Sequence, residues 1–316
     1  MKALLFPGQG SQVVGMCAEF YKNFNSVKKI FEEANEILKF DISKIILEGP
    51  ESELKLTKNT QPAILTVSFS IFNVLKKEFN LRLEDFKYFA GHSLGEYSAL
   101  LCSESLNFSD ALNLLHERGK AMQEAVPLGQ GGMIAVLGAE IEDVDKLISK
   151  NKHEGVCEIA NDNANGQVIV SGDISSIKNF QKILDENKKK FRLLPVSAPF
   201  HCSLMKSAAE KMEKKIKPVS FNKPIVGIFS NVTASAEEDP DKIKNLLIQQ
   251  IFSKVRWRES IINMSKFGVR EFIEIGPGKV LSGLVKRIIK DCKINNINSL
   301  ENIKDTFKWI SKIKKL

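Results

Sequence analysis

Gly91-His92-Ser93-Leu94-Gly95, set directly after the apolar run Tyr88-Phe89-Ala90, leaves this chain few ways to fold. A G-x-S-x-G between a strand and a helix is a nucleophile elbow, in which a strained turn pushes the serine hydroxyl out of the sheet. Glycines two before and two after the serine let strand and helix cross closely. The backbone N–H that follows the serine points at a developing oxyanion. A strand that feeds a helix in this way predicts an α/β protein built on a parallel sheet.

The rest of the pattern agrees. Lys2 to Phe6 reads as a short buried strand stopped by Pro7-Gly8. Ser26 is positioned to cap a helix carrying Val27, Ile30, Phe31, Ala34, Ile37 and Leu38 at helical spacing. Thr60-Gln61-Pro62 opens a largely apolar, buried helix running towards Phe79, with the proline near the first turn, where its missing N–H is harmless. Ser109 is the expected cap of a helix bearing His116 and Arg118. After the hinge-like Pro127-Leu128-Gly129-Gln130-Gly131-Gly132, strands are expected over 133–137, 156–160, 167–171 and 191–194, with helices over 141–149 and 175–186. Their β-α-β-β-α-β order is that of a ferredoxin-like module. Beyond it come a helix after His201, a strand over 225–230, helices over 241–250 and 258–267, and a strand over 271–275. Gly276-Pro277-Gly278 then turns the chain into a helix near Lys279. The expected fold class is α/β. An α/β-hydrolase-like parallel-sheet domain spans residues 1–126 and 200–316, and a ferredoxin-like small domain is inserted over 127–199.

Composition removes several function classes. At 316 residues and 43% hydrophobic, the chain can bury a sizeable core. No apolar run approaches the ~18 residues of a membrane-spanning helix, and the apolar start before Pro7 is shorter than the ~7–15 residues of a secretory signal. Five scattered cysteines with no C-x-x-C read as reduced thiols, so the expected location is cytoplasmic. The four histidines form no zinc-binding spacing, so no metal is expected. The glycine-rich Phe6-Pro7-Gly8-Gln9-Gly10-Ser11-Gln12 is not a dinucleotide fingerprint, because the third glycine position falls on Val13. Neither it nor Gly276-Pro277-Gly278-Lys279-Val280 has the Gly-Lys-Ser/Thr of a phosphate loop, and no cofactor is expected. The net charge is +8, with nine Lys or Arg against three Asp or Glu from Lys286 to Leu316. That stretch reads either as a solvated face or as a docking surface for an acidic partner. Nucleic acid is not expected, since no RNP-like aromatics, zinc finger or arginine-rich arm accompany the lysines. No separate association motif appears, which favours a monomer.

A nucleophilic serine needs a base. His92 is adjacent to Ser93 and points away from it, His116 lies on a helix, and His153 sits in a charged Lys-Asn-Lys-His-Glu loop. His201 follows Ser197-Ala198-Pro199-Phe200, where the small domain returns to the large one. A domain junction favours a cleft, which makes His201 the preferred base. The glycine turn after the first strand can supply a further backbone N–H to an oxyanion.

The motifs Phe6 to Gln12, Gly91 to Glu96, Arg118, Ala198-Pro199-Phe200-His201, Gln250 ahead of Val255-Arg256-Trp257, and Glu274 to Lys279 occur in this order. Together they resemble the malonyl-CoA:acyl carrier protein transacylases of type II fatty acid synthesis, over nearly the whole chain. The resemblance implies Ser93 as nucleophile, His201 as base, and Gln9 and Leu94 as oxyanion-hole residues acting through backbone N–H. It implies Arg118 as the clamp on the free malonyl carboxylate and His92 as a group positioning the acyl chain. Gln250 would orient the base through its backbone carbonyl, and Asn161 and Asn163 would belong to an asparagine-rich loop at the cleft edge. Phe200 before His201 resembles the malonyl-preferring pattern. Lys254-Val255-Arg256 departs from many relatives in surface charge. The implied partners are malonyl-CoA and acyl carrier protein. Two rival readings remain at this point, a serine thioesterase or esterase and a non-catalytic carrier-binding protein. A trans-acting acyltransferase of a polyketide pathway is a further alternative, a variant of the transacylase reading.

Overall fold

The computed structural model describes residues 1–151, 155–196 and 198–306. His153 and the tail lysines Lys308, Lys312, Lys314 and Lys315 lie outside the described residues. Among the described residues ten strands form two sheets: β1 (Lys2–Phe6), β2 (Phe86–Gly91), β3 (Gly131–Leu137), β4 (Cys157–Ala164), β5 (Gln167–Asp173), β6 (Lys190–Leu193), β7 (Gly227–Phe229), β8 (Ala236–Glu237), β9 (Glu271–Ile275) and β10 (Lys293–Ile297). The larger sheet has the order β10-β9-β1-β2-β7-β8. Its pairings are parallel except for the β7–β8 edge.

That order decides where the site lies. The chain passes from β1 to β2 and β7 on one side, then returns to β9 on the other side of β1. Ligand crevices in open parallel sheets form beyond the carboxyl ends of the strands, where the order reverses. Four segments emerge at that end: Pro7-Gly8-Gln9 after β1, His92-Ser93 after β2, Ser230-Asn231 after β7 and Gly276-Pro277-Gly278 after β9.

The smaller sheet is antiparallel, with the order β4-β5-β3-β6. Side chains alternate across a strand, and β3 uses both faces. Ile134 and Val136 pack with Val144, Leu147, Ile177, Phe180 and Leu184 of the helices Ile141–Ile148 and Ile174–Glu186. Met133 and Ala135 face the other way and join the main core. The second sheet therefore has one face closed by its own helices and the other turned to the first sheet.

Several boundaries differ from the sequence reading. The buried helix starts at Thr57 rather than Thr60, so Pro62 lies inside it. Proline cannot bond to the carbonyl four residues back. That carbonyl, on Lys58, instead accepts from His116 Nδ1 at 3.0 Å, which gives His116 a structural partner. The helix carrying Arg118 runs Phe108–Glu124 and is capped by Asn107, whose side chain accepts from the Asp110 N–H, rather than by Ser109. The helix over Val27 to Leu38 starts at Asn25, one residue before Ser26, and no side chain caps it. β10 had no counterpart in the sequence reading, because Lys293-Ile294-Asn295-Asn296-Ile297 is poor in strand formers. It forms because β9 offers a parallel edge.

Candidate active site

The elbow is a packing necessity. A Cβ on Gly91 would lie 1.9 Å from the Gly95 carbonyl, and one on Gly95 would lie 2.2 Å from the Phe6 carbonyl oxygen. Only glycine admits β2, the helix Gly95–Cys102 and the end of β1 at that distance. Ser93 takes φ 53, a left-handed conformation that costs a non-glycine residue energy and persists here because the surroundings fix it. His201 is held in the same region, at φ 59.

Ser93 Oγ lies 2.8 Å from His201 Nε2. His201 Nδ1 lies 2.9 Å from the backbone oxygen of Gln250. A carbonyl can only accept, so the imidazole proton is on Nδ1, and Nε2 is left to accept the serine proton. Gln250 ends the helix Pro240–Gln250, so its carbonyl lies outside the regular ladder, takes a long contact from the Ser253 N–H at 3.4 Å, and keeps a lone pair for His201. Burial holds His201 far below the usual histidine range, at about 3, and the nearby Arg118 charge adds to the effect. His201 is therefore a neutral base at neutral pH.

Arg118 is 1% exposed. It reaches this depth because its helix and Thr57–Glu78 touch at Gly119, where a Cβ would come within 2.6 Å of the Lys58 Cα. Arg118 Nη1 donates to Gln61 Oε1 at 2.9 Å, while Nη2 donates to Gln250 Oε1 at 2.9 Å and to Ser93 Oγ at 3.1 Å. Its Nε–H has no partner among the described residues. That Nε–H is itself buried, so the guanidinium meets the reacting serine through Nη2. Burial lowers the Arg118 pKa, and Tyr97 and Glu96 oppose that shift.

Other residues singled out in the sequence line the same cleft of about 240 Å³. It runs between Gln9, His92, Ser93 and Leu94 on one side and Met133, Asn163 and Ile169 on the other. The backbone N–H groups of Gln9 and Leu94 make no hydrogen bond among the described residues. His92 donates through Nε2 to Asn163 Oδ1 at 2.8 Å, and its ring lies 5.5 Å from that of Trp257. Asn161 and Asn163 do not form a loop. They sit in β4, which continues to Ala164 because it pairs with β5 through Ala164–Gln167 and bridges Val255 at Asn161. Asparagine is a weak strand former, so composition suggested an earlier end.

Three contacts of the site had no role assigned from sequence. Asn231, after β7, accepts the Ser93 N–H on Oδ1 at 2.7 Å. Gln61 holds Arg118. Glu96, 2% exposed, accepts from Gln250 Nε2 at 2.7 Å and from the Asn231 N–H at 3.1 Å. Burial raises its carboxyl pKa to about 7. Glu96 stood beside the elbow in the sequence, whereas Asn231 and Gln61 carry no motif.

One cleft thus brings together a serine hydroxyl on a neutral histidine, two backbone N–H groups without a partner among the described residues, and a buried arginine. The chain belongs to the acyl transferase domain family, which matches residues 3–306. It is 42% identical over 303 residues to the malonyl CoA-acyl carrier protein transacylase of Bacillus subtilis, covering 95% of this chain and 94% of that one. An acyl-carrier-protein-S-malonyltransferase structure from Bartonella henselae superposes with a TM-score of 0.95 at 41% identity, covering 98% and 99% of the two chains. A malonyl-transacylase solved in complex with its type II polyketide-synthase acyl carrier protein superposes with a TM-score of 0.94 at 35% identity, covering 97% and 99%. Among the described residues, no helix is long and apolar enough to cross a membrane.

Proposed function

We propose that this protein moves a malonyl group from coenzyme A to the phosphopantetheine thiol of acyl carrier protein, through a malonyl ester on Ser93. The observation that carries the reading is the buried Arg118, which lines the cleft with Nη2 at 3.1 Å from the Ser93 hydroxyl. Ser93 Oγ attacks the thioester carbonyl while His201 Nε2 takes its proton. The backbone N–H groups of Gln9 and Leu94 hold the oxyanion, each worth about 3 kcal/mol. Collapse expels the coenzyme A thiolate, which His201 protonates. The carrier thiol then gives its proton to His201 and attacks the ester, and Ser93 leaves with that proton. Arg118 binds the malonyl carboxylate, His92 and Asn163 wall the acyl group, and the Gln250 carbonyl orients the base.

In the same reading residues 127–199 are a ferredoxin-like small domain inserted into an α/β-hydrolase-like domain of residues 1–126 and 200–316. The order β4-β5-β3-β6 with two helices on one face supports this. Five unpaired cysteines support a cytoplasmic enzyme. A polyketide carrier is the second reading, favoured by the likeness to the transacylase solved with such a carrier. The test is intact-mass spectrometry after malonyl-CoA treatment, with and without each carrier. We expect one malonyl group on Ser93, discharged by the carrier thiol. Rapid hydrolysis with no transfer would assign the site to a thioesterase instead.

The low pKa of His201 gives a pH signature. The ratio kcat/KM reports the free enzyme, in which His201 accepts a proton only well below its usual range. Lowering the pH from 8 to 5 therefore leaves the base deprotonated, and kcat/KM for malonyl-CoA should hold nearly level over that range. Stopped-flow acylation across the range checks this, and an acid limb near pH 6.5 would contradict it. In kcat the limb should lie higher, because a carboxylate bound at Arg118 offsets the charge that depresses His201.

A further inference from the structure

We propose that Glu96 is a positioning residue, whose carboxyl oxygen holds the Gln250 amide and the Asn231 backbone in the arrangement that presents Ser93, His201 and Arg118 together. The inference rests on the acyl-transfer reading above and extends it to a residue that does not line the cleft.

Glu96 lies in the first turn of the helix that follows Ser93, and its Oε2 takes both contacts, from Gln250 Nε2 and from the Asn231 N–H. An acceptor buried this deeply is costly unless its partners are fixed. The primary amide of Gln250 has two ends of nearly equal size, and its environment alone selects the orientation. On one side Arg118 Nη2, a donor, requires the oxygen. On the other side Glu96 Oε2 and the Ser93 carbonyl, both acceptors, require the nitrogen, at 2.7 and 3.1 Å. Reversing the amide would set donor against donor at Arg118 and acceptor against acceptor at Glu96.

Both partners lead to the reacting groups. Asn231, held by Glu96 at its N–H, puts Oδ1 on the Ser93 N–H and Nδ2 on the Gly91 carbonyl at 2.8 Å, which ties both sides of the elbow. Gln250 carries the carbonyl that fixes the His201 tautomer. One carboxyl oxygen thus stands two hydrogen bonds from the nucleophile, from the base and from the arginine. Oε2 accepts these bonds whether or not the other carboxyl oxygen carries a proton, so the role is that of an acceptor rather than of a charge.

The test compares Glu96→Leu, which removes the acceptor, with Glu96→Gln, whose carbonyl restores it. Single-turnover acylation by malonyl-CoA is followed by intact mass. For Glu96→Leu we expect the acylation rate constant to fall about 10- to 100-fold, from two buried donors left unsatisfied, with the half-saturating malonyl-CoA concentration within about threefold of wild type. Glu96→Gln should stay within about threefold of wild type in both. If Glu96→Leu does not fold, Gln250→Met removes that hydrogen bond from the other side together with those to Arg118 Nη2 and the Ser93 carbonyl, and a fall in rate at least as large is expected. A wild-type rate constant in Glu96→Leu, or in Gln250→Met where that variant stands in, would overturn the proposal. So would a loss shared equally between rate and half-saturation, which a merely structural role produces. Wild-type protein run in parallel separates this outcome from failure of the transfer reading, in which even wild type would form no malonyl adduct.

Discussion

Ser93→Ala should form no covalent malonyl adduct and should lose acyl transfer by a factor on the order of 10⁵ or more, comparable to removing the nucleophile of other serine enzymes. Its fold should survive. The hydroxyl contacts His201 and Arg118 at the cleft wall, and the turn is held by backbone contacts and by Asn231 rather than by the hydroxyl. The backbone stays at positive φ, and alanine meets about the same strain there as serine. The checks are intact mass with malonyl-CoA and a melting curve. We expect a melting temperature within a few degrees of wild type. A malonyl adduct at wild-type level would place the nucleophile elsewhere.

Arg118→Ala should reverse the preference between acyl groups. A malonyl carboxylate brought to the cleft would lose a buried partner, which typically costs about 2–5 kcal/mol, or roughly 30- to 5,000-fold in malonyl transfer. Acetyl brings no carboxylate. Its transfer should suffer only from the loss of the contacts that Nη2 makes with Ser93 and Gln250. The acetyl-to-malonyl ratio of kcat/KM should therefore rise by at least tenfold. The substitution also removes a positive charge that depresses His201, so the acid limb of the profile should move to higher pH. Equal losses for the two acyl groups would make Arg118 a structural residue.

The parts of this protein that local chemistry controls were legible in its sequence. Gly91 announces the elbow because the clash that excludes a side chain there, with Gly95 and Glu96, lies within five residues of chain, whereas the clash at Gly95 is with Phe6 at the end of the neighbouring strand. Strands such as Lys2–Phe6 and Glu271–Ile275 are bounded by their own apolar runs and by the Pro and Gly that follow. Boundaries failed where a distant group supplied what the local sequence lacked. Pro62 sits inside a helix because His116, 58 residues away from Lys58, takes the carbonyl that the proline leaves free. β4 runs on through Asn161 and Asn163 because β5 and Val255 pair with it.

The candidate site divides in the same way. Ser93 and His201 can be found by residue type and motif, and Arg118 and Gln250 through the family resemblance, but the hydrogen bonds that join them link positions far apart in the chain. His201 lies 108 residues from Ser93, Asn231 138 and Gln250 157. What brings them together is the strand order, which sends the loops after β1, β2 and β7 to one end of the sheet. Sequence alone determined which side chains were available and which turns were sterically forced, because those depend on neighbouring residues. The tertiary structure decided which amide faces which carboxyl, how deeply Arg118 and His201 are buried, and so the charge state of the base, because desolvation and hydrogen-bond geometry arise only when distant segments pack.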